Sequence, residues 1–483
     1  MAAPKPSPSR PSRRAIAPAL TVLAVLLATL AMAGAASAQP GPPDGDPAAD
    51  AATTVILAGH LIAEPGRPAA GPHTLVVRDG RIQRIVPGTD PAAAGEPAQV
   101  IDLGRSWLMP GLIDLHMHLG ISMHADPGTA GDEARMALLV AAYAGELVRA
   151  GVTTVRDVGD NGGVVFAVRD AIDAGRLPGP RILAAGRVVS RSGGHGARRP
   201  QPGEIPYEPA ACDGPESCRR VVRENIEQGS DWIKMTVSGS GRESGGRPDA
   251  APIMFEDEVR GAVDAAHQAG RPVAAHAHST PAITLALQAG ADTIEHGTYF
   301  DDAAAARFKR GGAYLVPTAF VADYVGSQLQ MFAGGRDGKP AEELGRWAEA
   351  AVANPGRAWR AGVPLALGTD AGPSFAVTAT AREIALYVAA GVPAAAALEA
   401  ATVNNADALR MGDRLGRLRE GYLADMIALE SDPNVETATL SAPRWVMKAG
   451  QVVCDRDCVT ATQQEPATGN RTHEDRAERD ASR

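Results

Sequence analysis

Between about residue 108 and residue 412, short apolar runs alternate with longer amphipathic ones. The runs "GLIDLHMHL", "TTVRDV", "RILAAG", "DWIKMTVSG", "RPVAAHAHS", "DTIEHGT", "AYLVPT" and "VPLALGTDAG" have the length and turn-bounded character of strands. Most are separated by Ala-rich segments with apolar residues at helical spacing. Examples are "EARMALLVAAYAGELVRAG", "PESCRRVVRENIEQG", "EDEVRGAVDAAHQAG" and "PAITLALQAG", which end in Gly as helix C-termini do. Eight strands, each followed by a helix or a long loop, predict an α/β chain whose residues 108–412 form a (β/α)8 barrel of the TIM type. A doubly wound open sheet is the competing arrangement. It calls for a Gly-rich phosphate loop after its first strand, whereas the first strand here ends in "HMH".

The flanks read differently. Residues 54–107 hold "TVILAGHLIA", "HTLVVRDGRIQRIV" and "QVIDL", short strand-like runs with "RDGR" as a hairpin turn. Similar runs return within residues 413–461 as "DMIALE" and "RWVMKAGQVVCD". One small β-sandwich assembled from both flanks is expected. Residues 39–53 are Pro/Gly/Asp-rich and read as a linker, and residues 462–483 read as a polar, disordered tail. Residues 1–38 combine Lys5, Arg10, Arg13 and Arg14 with a long apolar run and a small-residue "ASA" at 36–38. That is the pattern of a cleaved signal peptide, with an uncleaved anchor as the alternative. The expected protein is exported, periplasmic or secreted, with no stable membrane partner after cleavage. The Arg13–Arg14 pair leaves the general and twin-arginine routes both open.

Composition narrows the field modestly. With 45% hydrophobic and 21% charged residues, the 483-residue chain can bury a sizeable core, and at 4% aromatics that core is mostly aliphatic. The net charge of −9, without any basic stripe interleaved with aromatics, argues against a nucleic-acid partner. Four cysteines fall in two close pairs without Cys-X-X-Cys spacing, so local disulfides Cys212–Cys218 and Cys454–Cys458 are expected, as an oxidising compartment allows.

The chemistry lies at the C-terminal ends of the predicted strands. These carry His116 and His118, then Lys234, then His276 and His278, then His296, and finally Asp370. In a barrel such ends converge on one face. His116 and His118 are two apart on a strand, so both point to one side of it and suit a shared metal. A histidine alone at a strand end is ordinarily a hydrogen-bonded core residue; it is the joint occurrence that points to a site. Lys234 is the odd member, because a buried ammonium is costly. A carbamate formed from Lys234 and carbon dioxide is an anion with two oxygens, one for each of two metals, and removes that cost.

These motifs, "PGLIDLHMHLG", "DWIKMTVSG", "VAAHAHS", "TIEHGT" and "GTDAG" in this order, resemble the amidohydrolase superfamily over about residues 54–460. The resemblance implies two divalent metal ions, zinc by default. His116, His118 and Asp370 hold the more buried one, His276 and His296 hold the other, and carbamylated Lys234 bridges them. His276 is taken as the ligand of its pair and His278 as supporting or substrate-facing, a choice that could be reversed. Within the superfamily the chain is similar to prolidases and to Xaa-Arg or Xaa-Lys carboxypeptidases. That implies a small-molecule amide or dipeptide substrate, Asp370 as proton shuttle, and His195 of "SGGHG" near the scissile carbonyl or the substrate carboxylate. His195 fits equally a role in ordering its loop. Specificity is expected from loops 187–209 and 299–302, with Tyr299 as a substrate contact, and the stretch from "TAFVADYV" is either a lid or a plain surface helix. Rival readings are an N-acyl amino acid or toxin amidase, an imidazolone-type or deaminating ring hydrolase, and a metal-binding scaffold that has lost catalysis. The ring enzymes typically use one metal without the lysine, and the deaminases place a Glu where Ser279 stands. Oligomeric state is open, a homo-oligomer included.

Overall fold

The computed structural model describes residues 53–120, 132–160, 163–197, 209–241, 247–333, 338–460 and 463. The expected signal peptide, the linker up to residue 52 and the tail apart from Gln463 lie outside the described residues. Six strands come first: β1 (Thr54–Ala58), β2 (His60–Leu61), β3 (His73–Arg78), β4 (Arg81–Pro87), β5 (Gln99–Asp102) and β6 (Trp107–Pro110). The parallel strands follow as β7 (Leu112–Met117), β8 (Val152–Asp157), β9 (Arg181–Ala184), β10 (Ile233–Thr236), β11 (Val273–Ala277), β12 (Thr293–His296) and β13 (Tyr314–Val316). Strands β14 (Met426–Leu429), β15 (Trp445–Lys448) and β16 (Gln451–Asp455) come last.

Strands from both flanks make two mixed sheets, ordered β4-β3-β1-β5 and β16-β15-β14-β6-β2. Ile56, Leu75 and Ile82 of the first sheet share one core with Leu108, Met426 and Trp445 of the second. Strands β1, β3, β14 and β15 are buried along nearly their whole length, whereas β4 and β5 leave most of their residues exposed. The "RDGR" turn forms the β3–β4 hairpin with Asp79 at φ 52° and Gly80 at φ 72°, the two left-handed residues that a tight primed turn demands. Strand β6 belongs to the second sheet, so that sheet runs to Pro110 and the expected division at 107/108 falls inside a strand.

The parallel strands form two sheets, β7-β8-β9 and β10-β11-β12-β13. Beyond β9 the chain pairs with β10, Val189 N donating to Lys234 O at 2.9 Å and Thr236 N to Val189 O at 3.0 Å. On the other side, Ala366 N donates to Leu315 O at 2.9 Å, Leu115 N to Leu367 O at 3.0 Å, and Asp370 N to His116 O at 2.7 Å. Hydrogen bonds thus pass from segment to segment and return to β7. The expected eighth strand makes only isolated bridges, at Leu365 and Ala371. Its extended course is broken by Asp370, whose φ is 59°.

Helices pack outside these strands, and their ends follow from sequence. The helix Glu133–Arg149 begins at Asp132, whose carboxylate accepts from Ala134 N and Arg135 N. Thr280–Ala289 stops at left-handed Gly290. After β13 the helices Ala319–Ser327, Leu329–Phe332 and Lys339–Val352 form a cap with its own small core of Ala322, Val325, Leu344, Trp347, Ala348 and Ala351. Buried Glu383 anchors this cap by accepting from Ala319 N (2.8 Å) and Phe320 N (2.5 Å). Among the described residues no helix is long and apolar enough to cross a membrane. Both expected disulfides, Cys212–Cys218 and Cys454–Cys458, are formed.

One close approach sets where the eighth segment lies. A Cβ on Gly368 would sit 2.5 Å from the His116 Cβ and 2.7 Å from its backbone N. Asp114 ties the same two segments, its carboxylate accepting from His116 N (3.1 Å), Thr369 N (3.2 Å) and Thr380 Oγ1 (2.9 Å). Gly368→Ala is expected to cost about 1–3 kcal/mol by overpacking, read as a lower urea midpoint. An unchanged midpoint would show that the segment has room to move.

Candidate metal centre

The parallel strands place their C-terminal ends around one cavity of about 290 Å³, the size of a small ligand. His116, His118, His195, Lys234, His276, His278, His296 and Asp370 all line it. All of the sequence-derived candidates for metal or catalysis are therefore brought together. Tyr299 is not among the described residues that line the cavity; it packs against the cap core, and its backbone N donates to His278 O at 2.9 Å.

Each imidazole is oriented from behind. His116 Nδ1 lies 2.6 Å from Glu295 Oε2, His118 Nδ1 lies 3.4 Å from Gly159 O, and His276 Nε2 lies 3.2 Å from Gly239 O. Carboxylate and carbonyl oxygens only accept, so in each case the named nitrogen carries a proton; the other nitrogen of His116 and of His276 keeps its lone pair, whereas His118 Nε2 faces the Asp370 carboxylate at 3.2 Å and donates to it. His296 Nδ1 lies 2.6 Å from Thr318 Oγ1, which donates to Pro317 O at 2.7 Å. Thr318 therefore accepts from His296, whose Nε2 is left with a lone pair. His278 Nδ1 meets Thr298 Oγ1 at 2.8 Å and Trp347 Nε1 at 3.3 Å. His195 reaches the wall on the loop after β9; its carbonyl accepts from Thr236 Oγ1 at 2.7 Å and its ring centre lies 4.7 Å from that of His276.

The electrostatics keep most of these rings neutral. Burial, then the neighbouring Lys234, push His116 down to about 4. Burial and the facing imidazoles hold His276 and His296 well below the usual histidine value, and burial with His195 takes His278 to about 3. His118 goes the other way: burial lowers it, but Asp370, 3.2 Å from its Nε2, raises it by more. Burial opposes the charge on Asp370 too, yet His116, His118 and Lys234 hold its carboxyl well below the usual range. Lys234 is 2% exposed, and burial depresses its ammonium to about 8 against the pull of Glu295 and Asp370. Its Nζ lies 3.5 Å from His116 Nε2.

Ligand atoms of His116, His296 and Asp370 lie within 4.8 Å of one another, as do those of His276, His278 and His296. Neutral imidazoles with inward lone pairs beside an ionised carboxylate are a donor set suited to divalent metal ions, so these groups could hold one.

Two supporting residues were not singled out from sequence. Glu295 of "TIEHGT" and Arg156 of "TTVRDV" are fully buried and paired, Arg156 Nη2 lying 2.8 Å from Glu295 Oε1. The reasoning that questions a lysine in a strand applies equally to them, and that signal was present. The strand period would place Glu295 and His296 on opposite faces. His296 escapes it by leaving the strand at φ 68°.

Comparison with known proteins agrees with this geometry. Residues 107–453 match the model of the Amidohydrolase family. Ochratoxinase of Aspergillus niger is 31% identical over 430 residues, covering 82% of this chain and 85% of that protein. Among solved structures, a Xaa-Pro dipeptidase with methionine bound in its active site superposes with a TM-score of 0.73 at 30% identity, over 83% of this chain and 99% of that one. The A. niger ochratoxinase structure gives 0.73 at 29% identity, over 84% and 96%. On this match and on those relatives, the chain belongs to the amidohydrolase family, with a prolidase-like likeness, and is a hydrolase acting on carbon–nitrogen bonds.

Proposed function

We propose that the protein is an exported, two-metal amide hydrolase that cleaves a dipeptide or an N-acyl amino acid with an apolar side chain. The observation that carries this reading is the outer hydrogen bonding of His116, His276 and His296, which leaves each ring a lone pair on its other nitrogen. His116, His118 and Asp370 would hold one zinc ion, His276 and His296 the other. The Lys234 amine, its ammonium depressed by burial, would supply a further ligand as the carbamate formed by adding to carbon dioxide with release of one proton. A pair of such ions, when bound, acidifies water and polarises a carbonyl. Asp370 is the only carboxylate on the wall among the described residues. Its ionised oxygen takes the proton from water and returns it to the leaving amine nitrogen. His195, whose ring centre lies 4.7 Å from that of His276, would face the substrate.

In this reading the circuit of parallel segments is a (β/α)8 barrel beside a β-sandwich, and residues 1–38 are removed on export. The two disulfides support an oxidising destination. Apolar substrates are favoured by Val188, Val321, Val325, Phe332 and Trp347 on the cavity wall, and by the methionine in the dipeptidase relative. Xaa-Arg and Xaa-Lys dipeptides rank lower, since no second carboxylate stands on the described wall to pair their charge. The likeness to ochratoxinase favours a second reading within the same chemistry, a toxin amidase.

Three outcomes are expected. Zinc-loaded enzyme should release amine from Xaa-Pro or from N-acyl aliphatic and aromatic amino acids in preference to Xaa-Arg and Xaa-Lys. Cleavage confined to basic dipeptides would reverse the specificity, and silence on every amide would sink the reading. Lys234→Ala should lose one of two metals by elemental analysis and at least about a hundredfold in kcat, as metal-assisted water activation is removed, with partial recovery in short carboxylic acids. Full metal content and turnover in that variant would remove the bridge. Glu295→Gln should weaken metal binding about 10- to 100-fold by releasing His116, measured by competition with a chelating dye; unaltered affinity would mean that the ring is held without its carboxylate.

A further inference from the structure

The His278 ring is met from behind by a group that can only donate. Its Nδ1 faces two partners, Thr298 Oγ1 at 2.8 Å and Trp347 Nε1 at 3.3 Å. An indole N–H has no acceptor capacity, whereas a hydroxyl can play either part. Only one assignment satisfies all three groups: the Nδ1 lone pair accepts, from the indole and from the hydroxyl, and the ring proton sits on Nε2. This is the reverse of His116 and His296, whose Nδ1 atoms donate to Glu295 and Thr318.

We infer that Trp347 is a positioning residue: its indole N–H fixes His278 as an Nε2–H donor, which keeps His278 off the metal and directs that N–H at an oxygen of the substrate. The inference rests on the amide-hydrolase reading for its substrate, but not for the state of the ring. It explains how two histidines on one strand end divide their roles. His276 and His278 both offer a nitrogen within 4.8 Å of His296, so distance alone would admit three ligands to one ion. A proton on Nε2 removes His278 from that set, because a protonated nitrogen has no lone pair to give. Without the indole, Thr298 can accept from Nδ1–H instead, and the Nε2 lone pair then turns inward as a third ligand.

The cap is built to present this group. Trp347 is 6% exposed, sits in the cap core with Val325 and Leu344, and meets the His278 ring edge-on at 5.5 Å. Gly241 lies against the indole where a side chain would collide with it. The ring position is therefore fixed by packing, and its N–H is aimed at one imidazole.

The test is Trp347→Phe, which keeps an aromatic ring and removes the donor, in zinc-loaded protein with 15N-labelled histidine. The His278 resonances are assigned by their loss in His278→Gln. The wild-type ring should show the Nε2–H pattern and the Trp347→Phe ring the Nδ1–H pattern. KM should rise about 3- to 10-fold, the scale of one hydrogen bond, with a smaller change in kcat. His278→Asn should raise KM more than His278→Gln, whose amide nitrogen reaches the position of Nε2. An Nδ1–H pattern in the wild type overturns the inference, as does a Trp347→Phe enzyme with unaltered pattern and KM. If Trp347→Phe does not fold, the wild-type pattern and the Asn/Gln comparison decide. Inactivity on every amide counts against the proposed function, while the nitrogen pattern still decides the state of His278.

Discussion

The Glu295 carboxylate is the constraint on which the centre is built. It lies fully buried between Arg156, 2.8 Å away, and His116 Nδ1, 2.6 Å away. Arg156 is itself fixed by Leu115 O (2.5 Å), by Thr293 Oγ1 (3.0 Å) and by the Trp232 ring, 4.4 Å from its centre. Burial alone would protonate Glu295, but the guanidinium and His116 outweigh it and hold the carboxyl well below its usual range. Such a pair adds little to stability over a hydrophobic equivalent, yet removing one partner leaves a stranded charge costing about 3–5 kcal/mol. Its value lies in geometry: β7, β8 and β12 are locked in register around one imidazole.

The same centre is where the backbone departs from ordinary conformations. His296, Thr318 and Asp370 have φ values of 68°, 54° and 59°, in a region costly for residues with a Cβ. Each stands at the end of a strand or strand-like segment, where the chain must turn a side chain over the cavity instead of continuing outward. The hydrogen bonds that pay for this are local. Thr318 accepts from His296 while donating to Pro317 O, and Asp370 N reaches His116 O. Strain and ligand orientation are thus one structural fact, because the residue that turns is also the residue that orients its neighbour.

What the sequence disclosed follows from this physics. Histidines, a lysine and an aspartate at strand ends were legible because strand length and period fix where such ends fall, and the cysteine pairs were legible from their spacing. Glu295 and Arg156 carried the same signal as Lys234, a charge inside an apolar strand, yet nothing in a linear pattern says that two such charges meet. The eighth strand was overdrawn because its apolar run hides a left-handed Asp370. Tyr299 is harder to read for a different reason: in a loop no periodicity sets side-chain direction, and this side chain packs against the cap core. Trp347 lies 69 residues from His278 in sequence, and no local pattern joins them.

The cavity has two walls of different origin, and this bears on how chemistry and selectivity can vary independently. The polar wall is made of strand ends held by backbone ladders and the Glu295 network, so its atoms are placed by the core itself. Apart from Val188, which follows β9, the apolar wall comes from the cap, which has its own small core and is tied down at its first helix by the buried Glu383. Val325 and Phe332 pack against other cap residues and line the cavity, apart from the ladders that hold the strand ends. Trp347 differs from these. Its ring belongs to the cap, while its N–H reaches a histidine on β11's continuation. A change of cap sequence that removed this indole would alter the polar wall as well, as would one at Thr318, which precedes the first cap helix and orients His296.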